Sequence, residues 1–528
     1  MTLRSLIAPV LTAALVACGG VYRFTDQPVV WRFADDRHIP EPEEQEYHQV
    51  PYFADALVFR RLTRAMELHS DSPAQNINAL DEVPNSSWFE NRIGVRRMTA
   101  EEVARGASAR GPAKPPLRAT KSKTHGNNPG VWVKDARDRK YLIKFDRIGH
   151  LGLQTGAGVV VNRLFWAGGY NVPNDGILHF RRDDISVASD AEIEDELGHK
   201  RHMTEDDLDA LVAKVAHTPD GRLRAMSSEF LEGVPKGGFA PEGVRKDDPN
   251  DRIPHEHRRE LRGLRVFSAW VNYTDVKTDN TLDMYVEENG RKFLKHYLLD
   301  FGESLGGHRA EWNRLEHGHE HIWDWEEQGK ALLGLGFYVR RWEHLRPTPW
   351  ASIGTFNAVE LDPPRWRETY PFWPFFEMTA DDAYWAAKLV MRFDRAMIAA
   401  AVFEAQLPEP RAAAYLVDTL VERARRIGRS YLDSVTPLDH FRLRDGRLCA
   451  VDLAVHYRLA RRGVIERLDD DGDVIARHRE NARGLVCMPL DGGGYAVYRL
   501  RASRGGEERP PMQVHARGAR ILGIVRTE

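Results

Sequence analysis

Residues 275–302 run DVKTDNTLDMYVEENGRKFLKHYLLDFG, and this stretch decides how the chain is read. Asp275 opens the spacing D-x-K-x-x-N, completed by Lys277 and Asn280. A hairpin pattern follows and turns at Glu288-Asn289-Gly290, where Asn-Gly supplies the positive φ that a tight turn needs. The second arm ends in an apolar strand, His296 to Leu299, immediately before Asp300-Phe301-Gly302. Asp300 stands twenty positions after Asn280, enough for a full hairpin.

Upstream, the pattern alternates. Val131 and Val133, a turn over Lys134–Arg139, and Tyr141-Leu142-Ile143-Lys144-Phe145 form a second hairpin signature. A glycine-containing loop, residues 124–130, precedes it and carries Gly126 and Gly130. A lysine on a strand behind such a loop reaches nucleotide phosphates, and backbone N–H groups of the loop cover them. Gly156 to Ala167 reads as a helix with an apolar face, stopped by Gly168-Gly169. Thr204 to Asp207 is a capping box that opens a helix to about Val215. Met226 to Leu231 reads as a strand, and residues 255–272 as a helix that begins charged and becomes apolar.

The strand lysine, D-x-K-x-x-N and D-F-G, in this order, resemble the protein-kinase-like superfamily. The resemblance is nearest its atypical bacterial HipA-like and CotH-like branch. No His-Arg precedes Asp275, where Asn272-Tyr273-Thr274 stands, and no A-P-E follows Gly302. Roughly residues 120–435 are covered. The resemblance implies a bilobal α+β kinase-like fold, with an N-lobe at 120–225, a C-lobe at 226–435 and a cleft near Ser227–Gly238. It implies ATP and Mg²⁺ as cofactors, and transfer of the γ-phosphate to a hydroxyl-bearing substrate. Asp275 would accept the hydroxyl proton and Lys277 would lie near the transferring phosphate. Asn280 and Asp300 would hold Mg²⁺, a hard cation that takes oxygen ligands. Lys144 would hold the α- and β-phosphates under Gly126 and Gly130. Glu229 and Leu231, in the connection between lobes, would contact the nucleotide.

In that fold the first large helix carries an acid that fixes the strand lysine. Here the helix is expected at Gly152–Tyr170, which contains no Asp or Glu, and Gly158 stands at the acid's place. Either another carboxylate substitutes, or Lys144 is loosely held, as in a pseudokinase acting as an envelope scaffold. A carboxylate within salt-bridge reach of Lys144 favours catalysis, and an empty site favours the scaffold.

Outward from this centre the chain changes character. Arg4 and the apolar run Leu6–Val16 have the form of a secretory signal, and Leu15-Val16-Ala17-Cys18 resembles the lipobox of bacterial lipoproteins. Residues 1–18 are thus expected to be a signal peptide. Lipidation at Cys18 would make the product a lipid-anchored envelope protein. Residues 19–119 read as a tether and N-terminal extension, with 19–50 leading away from the membrane, a helical stretch over Tyr52–Leu68 and a solvated linker over 105–123. Residues 379–432 are strongly helical. From about 436 to 528 short alternating strands and Gly-containing turns indicate a small C-terminal β domain.

Composition sets the bounds. The 528 residues are 42% apolar and 29% charged, an ordinary globular balance. The net charge of −3 lacks the basic excess of a nucleic-acid binder, and no apolar run is long enough for a transmembrane helix. Apart from Cys18 the cysteines are Cys449 and Cys487, compatible with a disulfide or with two buried thiols. No Cys/His spacing fits a zinc site. His317, His319 and His321 alternate but read as a solvated loop, and residues 469–473 as a hairpin turn rather than a Ca²⁺ loop. The charged stretch 245–262 reads as a salt-bridge network around a helix start. Trp366, Trp373, Phe375, Phe376 and Trp385 read as core and loop anchors.

Overall fold

The computed structural model describes residues 23–46, 48–66, 72–122, 128–194, 199–308 and 314–526. Residues 1–18, expected to be a signal peptide ending at Cys18, and Gly126 lie outside the described residues. Among these residues no helix is long and apolar enough to cross a membrane.

Alternating apolar residues build a seven-stranded sheet from β1 (Leu117–Ser122), β2 (Gly130–Lys134), β3 (Lys140–Phe145), β4 (Asp175–Phe180), β5 (Ile185–Glu194), β6 (Lys200–His202) and β7 (Leu223–Glu229). The order is β4-β7-β3-β2-β1-β5-β6, antiparallel except where β1 runs alongside β5. The period of two sorts each strand between two faces. On β3, Tyr141, Ile143 and Phe145 enter one core with Val131, Val133, Leu117 and Leu208. Lys144 points to the opposite face, beside Met226 of β7 and, one strand further, Ile177 of β4. The helix Leu153–Gly168 covers that second face, where Val159 packs on Ile177 and Met226.

The helix Leu153–Gly168 also belongs to the largest core. Its partners there include Trp270 on the helix Arg259–Val271, Trp385 on Ala380–Val390, Ile398 on Arg395–Glu404 and Leu420 on Pro410–Tyr431. The predicted helical stretch 379–432 is therefore present as three helices. Thr379 caps the first by accepting from the Asp382 amide, as Thr204 accepts from Asp207 ahead of Glu205–Val212. A small sheet lies between the two cores: β8 (Val234–Pro235), β9 (Thr281–Glu288) and β10 (Arg291–Leu298), in the order β10-β9-β8.

From Leu438 the chain is β-rich, as its turns predict. β11 (Leu438–Arg444), β12 (Arg447–Asp452) and β15 (Leu485–Pro489) form one sheet. A second contains β13 (Val464–Leu468), β14 (Val474–Arg479), β16 (Tyr495–Arg504), β17 (Glu507–Glu508), β18 (Met512–Arg517) and β19 (Arg520–Val525). Leu448, Met488, Leu500 and Val514 lie in the core that serves both. Residues 469–473 are the β13–β14 turn, closed by the Asp473 carbonyl accepting from the Asp469 amide. Cys449 and Cys487 face each other across β12 and β15 and form a disulfide, which settles the choice between bridge and free thiols.

Three expectations need correction, while the salt-bridge network expected over 245–262 is present and lies mostly in the interior. The stretch 105–123 is not all linker: Leu117 and Ala119 are buried on β1, because two β-spaced apolar residues outweigh the surrounding lysines and arginines. Residues 23–46 do not run free as a tether. Ile39 packs on Tyr285 and Leu294, and Asp36 pairs with Arg291. The charges of 245–262 are largely interior. Arg245 bonds Asp283, and Asp251 accepts from Arg258 while contacting His255. Among the aromatic anchors, Trp366, Trp373, Phe375 and Trp385 are buried, but Phe376 is exposed.

Candidate active site

The helix Arg259–Val271 ends at Asn272, whose left-handed backbone (φ 54°) turns the chain out of the helix. Tyr273 and Val276 are buried and pin the loop that follows, leaving Asp275 and Lys277 half-buried at its rim. Lys277 Nζ donates to both Asp275 carboxylate oxygens, at 2.9 and 3.0 Å. The turn Thr278–Asn280 brings Asn280 back, and its Nδ2 donates to Asp275 Oδ2 at 2.8 Å and to the Asp275 carbonyl at 2.7 Å. Burial pushes the Asp275 carboxyl above its ordinary range. Burial also works against the Lys277 ammonium, yet its contact with Asp275 prevails and holds it above its ordinary value.

Asp300 stands across from this group. The Leu299 amide donates to the Asn280 carbonyl at 2.9 Å, so the end of the hairpin is tied to its beginning. Asp300 itself has φ 51°, a conformation that non-glycine residues adopt at a cost. The neighbouring phenylalanine holds it there. Phe301 is wholly buried, 5.2 Å from the Phe165 ring and 5.3 Å from the Tyr273 ring. With Phe301 fixed inward, the Asp300 carboxylate turns toward β3, and Lys144 Nζ meets its Oδ2 at 2.9 Å.

Five of the six charged or amide side chains singled out in sequence therefore gather into two adjoining groups, Asp275–Lys277–Asn280 and Lys144–Asp300. Gly130 is nearby, opposite Lys144 in the β2–β3 ladder. Glu229 is not. It pairs with Tyr141, so its side chain leaves the sheet on the face away from Lys144, where Arg110 and Asn174 engage it. Leu231 packs against Met284, Val286 and Phe293, and with Glu229 it lines an open groove of about 570 Å³.

No family model matches the sequence, and no curated protein does either. Two solved structures show a similarity. The crystal structure of the Golgi casein kinase has 7% identity and a TM-score of 0.29, covering 61% of this chain and 74% of its own. The crystal structure of the Golgi casein kinase with Mn/ADP bound has 10% identity and a TM-score of 0.27, with 60% and 72% covered. Overlap at those scores assigns neither fold nor site.

The geometry explains the missing helical acid. A Cβ on Gly158 would fall 2.8 Å from Met226 Sδ and 4.0 Å from the Gly302 nitrogen, so a glutamate there would have to displace the Met226 side chain. A different carboxylate occupies the face that Lys144 uses. Asp175 on β4 sits opposite Ser228, and Lys144 sits opposite Met226, two positions along the same face of β7. Asp175 is buried, and Asn162 of the covering helix donates to its Oδ2 at 3.3 Å. Its Oδ1 has no hydrogen-bond partner among the described residues. Burial raises its carboxyl above the ordinary range, against the pull of Ser228, Lys144 and Arg163. Sequence reading passes over Asp175 because Asn174-Asp175-Gly176 has the composition of a turn.

The histidine run is a further correction. His317 and His321 are buried rather than solvated, and His308 joins His317 in the interior. Their Nδ1 atoms are 2.7 Å apart. Burial pushes both imidazoles down, His308 to about 3 and His317 to about 2.

Proposed function

We propose that the chain is an ATP- and Mg²⁺-dependent phosphotransferase of the atypical kinase type, acting on a hydroxyl-bearing substrate. The observation that carries this reading is the contact of Lys144 with Asp300 beside the Asp275–Asn280 pair. Phosphoryl transfer asks the protein mainly for positioning and charge neutralisation. Asn280 Oδ1 and the Asp300 carboxylate supply the oxygen donors that Mg²⁺ prefers. The metal would neutralise the charge that develops between the phosphates. Lys144 would move from Asp300 to the phosphate oxygens when nucleotide enters. Asp275, its basicity raised by burial, takes the proton of the attacking hydroxyl, and Lys277 beside it faces the transferred group. Leu231 and the apolar side chains of β9 suit a nucleobase.

In this reading the seven-stranded sheet with its helix is an N-lobe, the helical body a C-lobe, and the cleft between them runs past residues 227–238. The β-rich residues from 436 form an appended domain. The protein would be exported and held at the envelope by lipid on Cys18. The Cys449–Cys487 disulfide supports an oxidising compartment. Replacing Cys18 with Ser should abolish lipid labelling and release the protein from membranes. Unchanged fractionation would sink the anchor.

The test of catalysis is Mg²⁺-dependent ATP binding together with γ-phosphate transfer by the purified protein. In Asp300→Ala, transfer should fall by on the order of 10²–10³ or more, while metal-free nucleotide binding changes little. A second reading, an impaired pseudokinase acting as a scaffold, is favoured by the absence of any acid on the helix Leu153–Gly168. It is the reading that survives if nucleotide binds in both proteins and neither transfers phosphate.

A further inference from the structure

We infer that Glu303, His308 and His317 form a second metal site, for a borderline transition ion of the Zn²⁺ class, beside the Asp300 centre and separate from it. One donor atom from each of the three residues lies within 4.8 Å of the others. The two histidine Nδ1 atoms are 2.7 Å apart, with the rings nearly perpendicular at 82°. Both histidines are buried.

A hydrogen bond between two imidazoles accounts for only part of this arrangement. One proton serves the Nδ1 pair and leaves the outer nitrogens to find partners elsewhere. His317 Nε2 finds none among the described residues, although it is fully enclosed. The nearest further group to His317 Nδ1 is the Thr274 hydroxyl, at 3.5 Å. A buried polar ring bonded on one side only costs free energy. On a tetrahedral zinc, two imidazole nitrogens at about 2.0–2.1 Å from the metal stand about 3.3 Å apart. A shift of about half an ångström converts the present pair into a chelate, with the Glu303 carboxylate as third ligand and one position left for water.

The donor set selects the ion. Two imidazoles and one carboxylate suit Zn²⁺, Co²⁺ or Ni²⁺, whereas Mg²⁺ prefers oxygen alone. The charge of Arg314 reaches both rings and opposes a cation there, and the Glu303 carboxylate offsets it. The position gives the site its use. Glu303 and His308 follow Asp300-Phe301-Gly302, while His317 adjoins Thr274, the residue before Asp275. Gly318 lies so close that a Cβ on it would fall 2.3 Å from Asn272 Oδ1. A metal here fastens the chain after Asp300 to the loop that carries Asp275.

This inference stands whether or not the chain transfers phosphate, because its readout is the metal alone. The full protein, stripped with chelator, is titrated with Co²⁺, whose visible d–d bands report a low-symmetry nitrogen–oxygen site. One equivalent is expected, displaced by Zn²⁺. His308→Gln and His317→Gln should each weaken binding by more than the roughly 10–100-fold that loss of an outer partner costs. Asp300→Asn should leave stoichiometry and spectrum unchanged. Metal-free circular dichroism shows whether the histidine variants fold. X-ray absorption of the zinc-loaded wild type, which needs no variant, should show two imidazoles in the inner shell. The site is overturned by a wild type without d–d bands, by bands that persist in both folded histidine variants, by bands lost in Asp300→Asn, or by an inner shell lacking imidazole.

Discussion

Lys144 is paired with one carboxylate and feels the charge of a second on the same sheet face, and the two differ in exposure. Asp300 holds it now at 2.9 Å with a side chain 43% exposed, open to a metal that would compete for it. Asp175 is buried on the same sheet face with one oxygen unpartnered. If Mg²⁺ took Asp300 as proposed, the lysine would still need a fixed counter-charge, and Asp175 on the same sheet face is the carboxylate proposed to supply it. Asp175→Asn keeps the shape and removes the charge. The proposed phosphotransferase should then lose about tenfold to a hundredfold in γ-phosphate transfer, as misplacement of a positioned group does, while circular dichroism stays native. Undiminished transfer would show that Lys144 works without Asp175.

At the scale of elements, the loop holding His321 stores an acid sensitivity. His321 is buried against Glu368, whose carbonyl its Nδ1 contacts at 2.9 Å, and it stacks on Phe376. Burial pushes its imidazole down to about 4, with Glu368 pulling upward and Arg61 and Arg367 downward. The folded protein therefore stays neutral at this ring where the unfolded chain, near 6.5, takes up a proton. Stability from this residue is complete above about pH 6.5 and falls as the pH drops toward 4. Between pH 7 and pH 5 the loss should be about 2 kcal/mol. Denaturant midpoints should show it, and His321→Phe should flatten the slope. Sequence could not show this, because a His-Gly-His run looks like a solvated loop until tertiary packing encloses it. The hairpin that frames Asp275 and Asp300 was legible, since period two, Asn-Gly and the flanking motifs are local. The same locality gave Lys144 its strand and the C-terminal turns their places. Asp175 was not legible, nor was the anchoring of 23–46 through Asp36 and Ile39, because both depend on which distant surface they meet. Glu229 ends a strand that the sequence placed at Met226–Leu231 and that runs Leu223–Glu229, and its parity sends the side chain to the face away from Lys144.

The whole molecule is joined by a buried ionic network among Arg259, Arg262, Lys388, Arg526, Asp81, Glu82, Asp382 and Asp439. Arg259 bridges Asp81 and Asp382, Arg262 reaches Asp382, and Lys388 bridges Glu82 and Asp439. Arg526 closes it. Its guanidinium donates to Asp81 at 2.7 Å and Asp439 at 3.0 Å and lies 4.0 Å above the Tyr384 ring. Four positive groups meet four negative ones in these contacts, so loss of one leaves a buried charge uncompensated. Arg526→Met should cost about 3–5 kcal/mol of unfolding free energy. Urea denaturation checks this, and Arg526→Lys should recover part of it. A loss under 1 kcal/mol would show that the network is structurally dispensable. The order of synthesis gives this contact a further meaning. Asp81 and Arg526 are 445 positions apart, so a chain delivered from its N-terminus carries the carboxylate long before the cation that neutralises it. Until residue 526 has emerged, the interior retains an excess of negative charge and resists closing. A copy interrupted before residue 526 would leave Asp81 and Asp439 short of one counter-charge, and is expected to be cut by proteases faster than the full chain.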